Sequence, residues 1–350
     1  MSQVKWGVIG AGGIAMRRTL PGAVGGSPSA NFVALMDVNG DAVRQAAEQF
    51  GVARSYTDEK ELLLDPEVQA VYIATPAYLH AQHIRMAAEA GKHVLCEKPL
   101  TLTIEQAEES IETCKKAGVL LGVAYMMRFH ALNAAARDLV ARGDLGRVVA
   151  GRAQLTCWYP SIPGAWRQDP KTGLGGALAD MGSHCIDLLE FITGAKVASV
   201  CAMNESLVHT YASDDTSTVL LRMDNGAQMV VDSLFNVPDV ASRGRMEIYG
   251  TKGALYGEGT IGQMPTGKIT AVLSDQGEYD AQQQREASSQ TFEVEAEPVD
   301  MYAAEIENVS RAILAGRPPA ITGEQGLWNL KILHASYRSG RERREISLSD

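Results

Sequence analysis

At 350 residues, with 45% hydrophobic and 21% charged side chains, the chain is longer than one core usually supports and reads as an ordinary soluble protein of two domains. A formal net charge of −10 argues against a broad basic footprint for nucleic acid or an anionic membrane, which leaves a small molecule as the expected partner. Five widely spaced cysteines (Cys96, Cys114, Cys157, Cys185, Cys201) without a Cys-x-x-Cys pair indicate neither a disulfide framework nor a cysteine zinc site. No signal peptide precedes the first strand and no apolar run reaches transmembrane length, so a cytoplasmic location is expected.

In chain order, Val4 to Ile9 is an apolar strand that runs into Gly10-Ala11-Gly12-Gly13-Ile14-Ala15, after which Ala15 to Val24 continues as a helix. Gly10 permits the tight turn, Gly12 lets a pyrophosphate approach the backbone, and the small Ala15 lets helix pack on strand. The helix start then faces the phosphates with unpaired N–H groups. The second strand, Phe32 to Met36, ends at Asp37. A carboxylate there accepts hydrogen bonds from both hydroxyls of an adenosine ribose and repels a 2′-phosphate, so the expected cofactor is NAD in preference to NADP. Residues 38 to 41 supply no arginine for that phosphate, and Arg44 falls a turn or more into the next helix. The plainer role for Asp37 is a cap on that helix.

The pattern repeats: Val68 to Ala74 reads as a strand, Pro76 to Ala90 as a helix, His93 to Cys96 as a strand, Ile104 to Lys116 as a helix and Val119 to Ala124 as a further strand. Such alternation implies a parallel sheet covered on both faces, with ligands outside the carboxyl ends of its strands. Asp37, Thr75-Pro76 and Glu97-Lys98-Pro99 fall at those ends. His80 and His83 have no nearby carboxylate or cysteine and read as surface or packing residues, so no metal site is expected. Lys98 follows a strand and precedes a proline, where its ammonium could bond a substrate hydroxyl or ketone and stabilise developing charge; a solvated or phosphate-facing lysine is the plainer alternative.

From Gly146 the grammar changes to strands with few helices: Arg147 to Thr156, Val197 to Asn204, Ser217 to Met223, Ala227 to Phe235, Met246 to Tyr249 and Ala254 to Tyr256. Asp224-Asn225-Gly226 between apolar alternations marks a hairpin. A mostly antiparallel second domain follows, one face of its sheet taken by a helix over 178 to 193 and the other carrying apolar residues (Val231, Leu234, Val237) for burial against another subunit. Before that helix, Cys157-Trp158-Tyr159-Pro160 to Trp166-Arg167 is an aromatic loop whose rings either stack on a sugar or fill a domain junction. Within Leu174 to Leu189, Asp180, His184 and Asp187 stand four and three residues apart, hence on one helical face. A carboxylate beside an imidazole can do proton chemistry, whereas the ordinary meaning of such spacing is a solvated stripe. Residues 274 to 290 read as an exposed excursion, and Pro298 to Ala315 and Gly323 to Ser339 as two closing helices.

With the glycine turn, Glu97-Lys98-Pro99 and Asp180-x-Gly182-x-His184-x-x-Asp187 in this order, the sequence resembles the glucose-fructose oxidoreductase and inositol dehydrogenase family, Gfo/Idh/MocA, over nearly its whole length. Gly143 to Arg147 and Ile321 to Gly326 are also similar to that family. The resemblance implies an α/β fold: a Rossmann doubly wound parallel sheet over 1–124, a substrate-binding and oligomerisation α/β domain with a large, mostly antiparallel open sheet over 125–300, and C-terminal helices over 301–350 that pack back near the domain junction. It implies a catalytic set of Lys98, Asp180 and His184 in a cleft between the domains. It also implies nicotinamide cofactor binding by Gly10, Gly12, Gly13, Ile14, Asp37, Thr75, Pro76, His80, Glu97 and Lys98. Substrate contacts at Tyr125, Arg128, Trp166, Arg167 and His184, and a homodimer or homotetramer formed through the open sheet, come with it. The function so implied is reversible hydride transfer between NAD(H) and a secondary alcohol of a sugar, sugar derivative or inositol. A dinucleotide-binding sensor without turnover is the rival reading, and an S-adenosylmethionine enzyme, which shares the glycine turn, a more distant one.

Overall fold

The computed structural model of the protein describes residues 2–274, 281 and 289–349. The chain divides into two compact units, one of Met1–Met126, Lys171–Leu174 and Asp300–Leu330, the other of Met127–Pro170, Gly175–Val299 and Lys331–Asp350.

The first unit is built on six parallel strands: β1 (Val4–Ile9), β2 (Ala30–Met36), β3 (Arg54–Tyr56), β4 (Ala70–Ile73), β5 (His93–Glu97) and β6 (Leu121–Ala124), in the order β3-β2-β1-β4-β5-β6. Every residue of β4 and β6 is buried, which is why these strands read as unbroken apolar runs rather than alternations. Helices end where the sequence has caps. The Asn39 side chain accepts from Ala42 N at the start of the Gly40–Phe50 helix, and Thr103 from Gln106 N at the start of Ile104–Ala117, which stops at Gly118 in the left-handed region. Trp6, Leu35, Tyr72 and Leu95 share a core with Ile306 and Val309 of the Met301–Ala315 helix, and the buried Trp6 indole donates to Ser310 Oγ at 2.9 Å.

Local winding departs from the sequence reading in two places. The segment expected as one helix over Ala15 to Val24 is π-wound over Ala15–Thr19 before an α-helical turn, Leu20–Ala23. The helix expected from Pro76 opens as a 3-10 turn, Ala77–Leu79, because Pro76 stays extended, and becomes α-helical over His80–Glu89. Strand order reverses between β1 and β4, so the carboxyl ends of β1, β2, β4 and β5 bring Gly10, Asp37, Thr75 and Lys98 to one edge.

The second unit carries nine strands: β7 (Val148–Thr156), β8 (Val197–Glu205), β9 (Thr216–Met223), β10 (Gln228–Leu234), β11 (Arg245–Gly250), β12 (Gly253–Glu258), β13 (Lys268–Ser274), β14 (Ser289–Glu293) and β15 (Ile346–Ser347). Their order is β14-β13-β12-β11-β7-β10-β9-β8-β15, antiparallel except where β10 runs parallel to β7. The hairpin expected at Asp224-Asn225-Gly226 is present, with Gly226 at φ 86°. The excursion expected over 274 to 290 lies, apart from residues 274, 281, 289 and 290, outside the described residues.

One face of this sheet differs from expectation. Val231 is fully buried and shares its strand parity with Ser233, whose hydroxyl lies against Gly182 of the covering helical segment, so Val231 belongs to the covered side. Val237 lies beyond the end of β10. The open side instead presents Arg152 paired with Asp232, Glu247 accepting from the Tyr249 hydroxyl at 2.8 Å, and Arg245, with Leu220 and Tyr256 among them. It is a charged surface with apolar islands.

Candidate active site

In the first unit the glycine turn is set by close approach. Gly10 has φ 90°, and a Cβ there would lie 2.9 Å from the carbonyl carbon of Ala74 and 2.9 Å from Thr75 N. Gly12 N donates to Asp37 Oδ2 at 3.0 Å and Asn39 N to Asp37 Oδ1 at 3.0 Å, so the turn and the end of β2 share one carboxylate. The helix cap is Asn39, which leaves Asp37 at the strand end rather than in the capping role. Beside Gly13 the position of a Cβ is open for 4 Å, and Ile14 is half-buried next to it.

The ends of β4 and β5 are tied together by side chains. Thr75 Oγ1 lies 3.1 Å from His83 Nδ1. His80 is wholly buried between two backbone carbonyls, Nδ1 2.9 Å from Pro99 O and Nε2 2.9 Å from Thr75 O, so it holds the loops of Pro76 and of Lys98-Pro99. Burial pushes its pKa down to about 4, leaving a neutral ring that donates to only one of the two carbonyls at a time. Both histidines thus pack within the unit. Glu97 accepts from the Tyr72 hydroxyl at 2.6 Å and from Lys98 N at 3.2 Å, while Tyr72 is joined to Thr19 Oγ1 at 3.1 Å. Lys98 and Tyr125 are both buried.

These residues fit a nicotinamide dinucleotide: a side-chain-free turn, open space at Gly13, and a carboxylate at the next strand end, all at the point where strand order reverses.

In the second unit the segment bearing Asp180 and His184 is fastened at its start by a residue far along the chain. Asp214 Oδ1 accepts from Gly176 N at 2.7 Å, its Oδ2 from Leu178 N at 2.9 Å, and its backbone carbonyl from Ala177 N at 2.9 Å. The Tyr337 hydroxyl donates to Asp214 Oδ1 at 2.8 Å and accepts from Ala179 N at 3.2 Å. This closure explains Gly175-Gly176: a Cβ would stand 1.9 Å from the Tyr337 hydroxyl oxygen at the first position and 1.8 Å from Asp214 O at the second. Burial pushes the Asp214 carboxyl up, against the pull of its N–H donors.

From there Leu178–Gly182 is π-wound and Ser183–Thr193 α-helical. The helix is buried nearly all round, so the solvated stripe does not describe it. A π turn before an α turn also breaks the strict one-face geometry: Asp180 is half-buried, whereas His184 and Asp187 are buried. Asp180 Oδ1 pairs with Arg167 Nε at 3.0 Å, and the Arg167 guanidinium lies 4.1 Å from the centre of the Trp166 ring. Asp187 takes a two-pronged pair from Arg128, Nε at 2.8 Å and Nη2 at 2.5 Å, and that guanidinium sits 5.6 Å from the Phe191 ring centre. Arg128 therefore braces the helix from outside. Burial pushes the thiol of Cys157, near Asp180, up to about 12, with Asp180 and Asp239 adding to the shift.

Residue by residue, the structure brings Gly10, Gly12, Asp37, Thr75 and Lys98 to one strand edge of the first unit. It brings Asp180, Arg167 and Trp166 together in the second, with His184 buried one turn further along the same helical segment. Sequence reasoning missed Tyr72, Asp214, Asp215 and Tyr337. The one local signal was the adjacent pair Asp214-Asp215 directly before β9, two carboxylates where a strand was beginning.

A glycine-turn parallel sheet, followed in the chain by a nine-stranded sheet with a covered helix bearing Asp180 and His184, is the architecture of a nicotinamide-dependent oxidoreductase. Residues 4–125 match the family described as oxidoreductase, NAD-binding Rossmann fold, and residues 133–256 match the GFO/IDH/MocA C-terminal domain. The chain belongs to the Gfo/Idh/MocA family. It is 31% identical over 327 residues, 93% of each chain, to 1,5-anhydro-D-fructose reductase of Ensifer adhaerens. It is 31% identical over 321 residues, 91% of each chain, to myo-inositol 2-dehydrogenase of Thermotoga maritima. Among solved structures, aldose-aldose oxidoreductase of Caulobacter crescentus, complexed with glycerol, superposes with a TM-score of 0.86 at 27% identity over 99% of both chains. Among the described residues no helix is long and apolar enough to cross a membrane, and no group of three or more His, Cys, Asp or Glu could hold a metal ion.

Proposed function

We propose that the protein is an NAD-dependent dehydrogenase or reductase acting on a secondary hydroxyl or ketone of a sugar, sugar derivative or inositol, with Lys98, Asp180 and His184 as its catalytic residues. The observation that carries this reading is the presence of all three groups, in order, in a chain of this oxidoreductase family, with Asp180 and His184 on a segment fastened by five hydrogen bonds through Asp214 and Tyr337. A sensor of dinucleotide has no use for that investment in proton-handling groups.

The nicotinamide, when bound, supplies the acceptor or donor of the hydride. His184 takes the hydroxyl proton, since an imidazole titrates near neutral pH and a base poised there is effective. Lys98, an ammonium held where charge develops, bonds the same oxygen and favours its alkoxide. Asp180, already oriented by Arg167, binds a neighbouring hydroxyl, and Trp166 fixes Arg167. Gly10, Gly12, Gly13, Ile14, Thr75 and Pro76 line the dinucleotide, and Asp37 selects NAD through its ribose hydroxyls. Five free cysteines suit a reducing compartment, the cytoplasm. The open side of the nine-stranded sheet is the surface through which we propose that copies of the chain associate.

Absorbance of NADH across a panel of monosaccharides, inositols, glycosides and sugar acids, with NAD and NADP compared, tests the reading. The expected result is turnover with NAD on some member of the panel and its loss in Lys98→Ala. Tight NAD binding without turnover on any member would favour the sensor.

A further inference from the structure

The aromatic loop and the segment after β8 meet in a cluster that the catalytic assignment leaves unused. Tyr159 N donates to Phe235 O at 2.8 Å, and the two rings lie 4.9 Å apart. The Tyr211 hydroxyl donates to Tyr159 O at 3.0 Å. Cys157, Tyr159 and Tyr211 pack with Phe235 on Ala177 and Met181, and Met181 is the neighbour of Asp180. On this base stands His209, stacked on Tyr211 at 5.2 Å and 24° and meeting the Trp158 ring edge-on at 5.1 Å and 69°. Trp158 itself is 46% exposed, although its backbone is pinned by Asp239 Oδ1 at 2.9 Å.

The loop that carries His209 is held in an unusual way. Asp215 Oδ2 accepts from His209 N at 2.7 Å and Val208 N at 2.8 Å, and its Oδ1 from Leu207 N at 2.9 Å, Thr216 Oγ1 at 2.8 Å and Asn236 Nδ2 at 3.0 Å. Three consecutive backbone N–H groups close on one fully buried carboxylate, yet Leu207 and Val208, on the same loop, point to solvent. The fastening does not serve to bury apolar side chains. What it fixes is His209. The His209 Nε2 lies 3.1 Å from Phe235 O, a carbonyl that can only accept, so Nε2 carries a proton and donates to it. The result is a half-exposed indole with the second imidazole nitrogen, Nδ1, beside it for a hydroxyl to bond, on the same packed cluster as the turn of Asp180.

We propose that Trp158 and His209 form a stacking platform that selects ring-form polyols, pyranoses and cyclitols, over open-chain ones. A six-membered ring offers a flat patch of C–H groups that covers an aromatic face, while its rim of hydroxyls reaches acceptors at the edge. A linear polyol cannot present both without losing several free torsions on binding. This inference rests on the dehydrogenase reading above and names the shape of its substrate.

The test compares wild type with Trp158→Ala and Trp158→Phe, using NAD and two sets of probes: D-glucose, D-xylose and myo-inositol against D-sorbitol, xylitol and glycerol. The expected result is a wild-type preference for the ring set, an about tenfold fall in kcat/KM on that set in Trp158→Ala, carried by KM with kcat nearly unchanged, and no change in the KM for NAD. Trp158→Phe, which keeps an aromatic face, should recover most of the loss. A Trp158→Ala enzyme that keeps the full ring preference would overturn the platform. So would a wild-type enzyme that turns over only the open-chain set, an outcome that leaves the dehydrogenase reading intact. Wild-type inactivity on both sets and on the glycosides and sugar acids of the wider panel, with NAD still bound, would remove that reading and the platform with it.

Discussion

The Asp37 carboxylate holds the Gly12 amide at 3.0 Å, and in the function proposed above it also binds the adenosine ribose. A hydrogen bond to a charged acceptor contributes about 1.5–3 kcal/mol, so Asp37→Ala should weaken NAD binding by about 10- to 100-fold. The same change removes the charge that repels a 2′-phosphate, and the ratio of NAD to NADP affinity should fall towards one. Fluorescence titration with the two reduced cofactors measures both quantities. An unchanged ratio would remove Asp37 as the selector.

At the scale of elements, the segment from Gly176 to Thr193 is held by Asp214 rather than by its own helix start. Asp214→Ala leaves the Gly176 and Leu178 N–H groups and the Tyr337 hydroxyl without this acceptor. Each buried donor so orphaned costs about 1–3 kcal/mol. Thermal unfolding should therefore fall by several degrees, and turnover should fall further than the dinucleotide affinity, because Asp180 and His184 are carried on this segment. Equal losses in both would mean that Asp214 serves stability alone.

The neighbouring Asp215 gives the second loop a pH signature. Burial raises its pKa, but the N–H groups of His209, Leu207 and Val208 and the Thr216 hydroxyl together outweigh that and hold it below the ordinary value. A folded pKa below the unfolded one stabilises fully above the unfolded value, about 3.9, and the gain is lost as pH falls through the folded value. Wild type should lose stability below about pH 4 more steeply than Asp215→Asn in acid titrations followed by circular dichroism. Parallel acid limbs would contradict this.

What was legible followed from locality. The glycine turn, Asp37, Glu97-Lys98-Pro99 and Asp180-x-x-x-His184 are written within a few residues each, and both sheets could be expected from runs and alternations. Asp214 and Tyr337 were not legible, because their partners at Gly176 and Ala179 stand 38 and 158 residues away. The strands Arg54–Tyr56 and Ile346–Ser347 are too short to carry a period. Val231 was grouped on one face with Leu234 although a strand alternates: Ser233 against Gly182 puts Val231 on the covered side, and Leu234, which shares the parity of Asp232, falls on the open side as expected.

At the scale of the whole molecule, the open side of the nine-stranded sheet mixes Arg152, Arg245, Asp232 and Glu247 with exposed Leu220 and Tyr256. A two-fold arrangement lets such a surface meet itself, cation against anion, and the apolar islands supply the buried area. Light scattering should give an integer multiple, two or four, of the 37.6 kDa chain mass, and Leu220→Asp should shift the population towards monomer. A wild-type monomer at all concentrations would contradict association through this face.

In the proposed reaction a hydride moves directly between a secondary carbinol and the nicotinamide, with His184 handling the proton. The most direct measurement takes a sugar or inositol substrate deuterated at the oxidised carbon and follows the mass of the reduced cofactor, in wild type and in His184→Ala. We predict one deuterium per NADH formed by wild type, and turnover lowered by about 10²- to 10⁴-fold in His184→Ala with NAD affinity little changed. NADH formed without the label, or a His184→Ala enzyme with full turnover, would contradict the account.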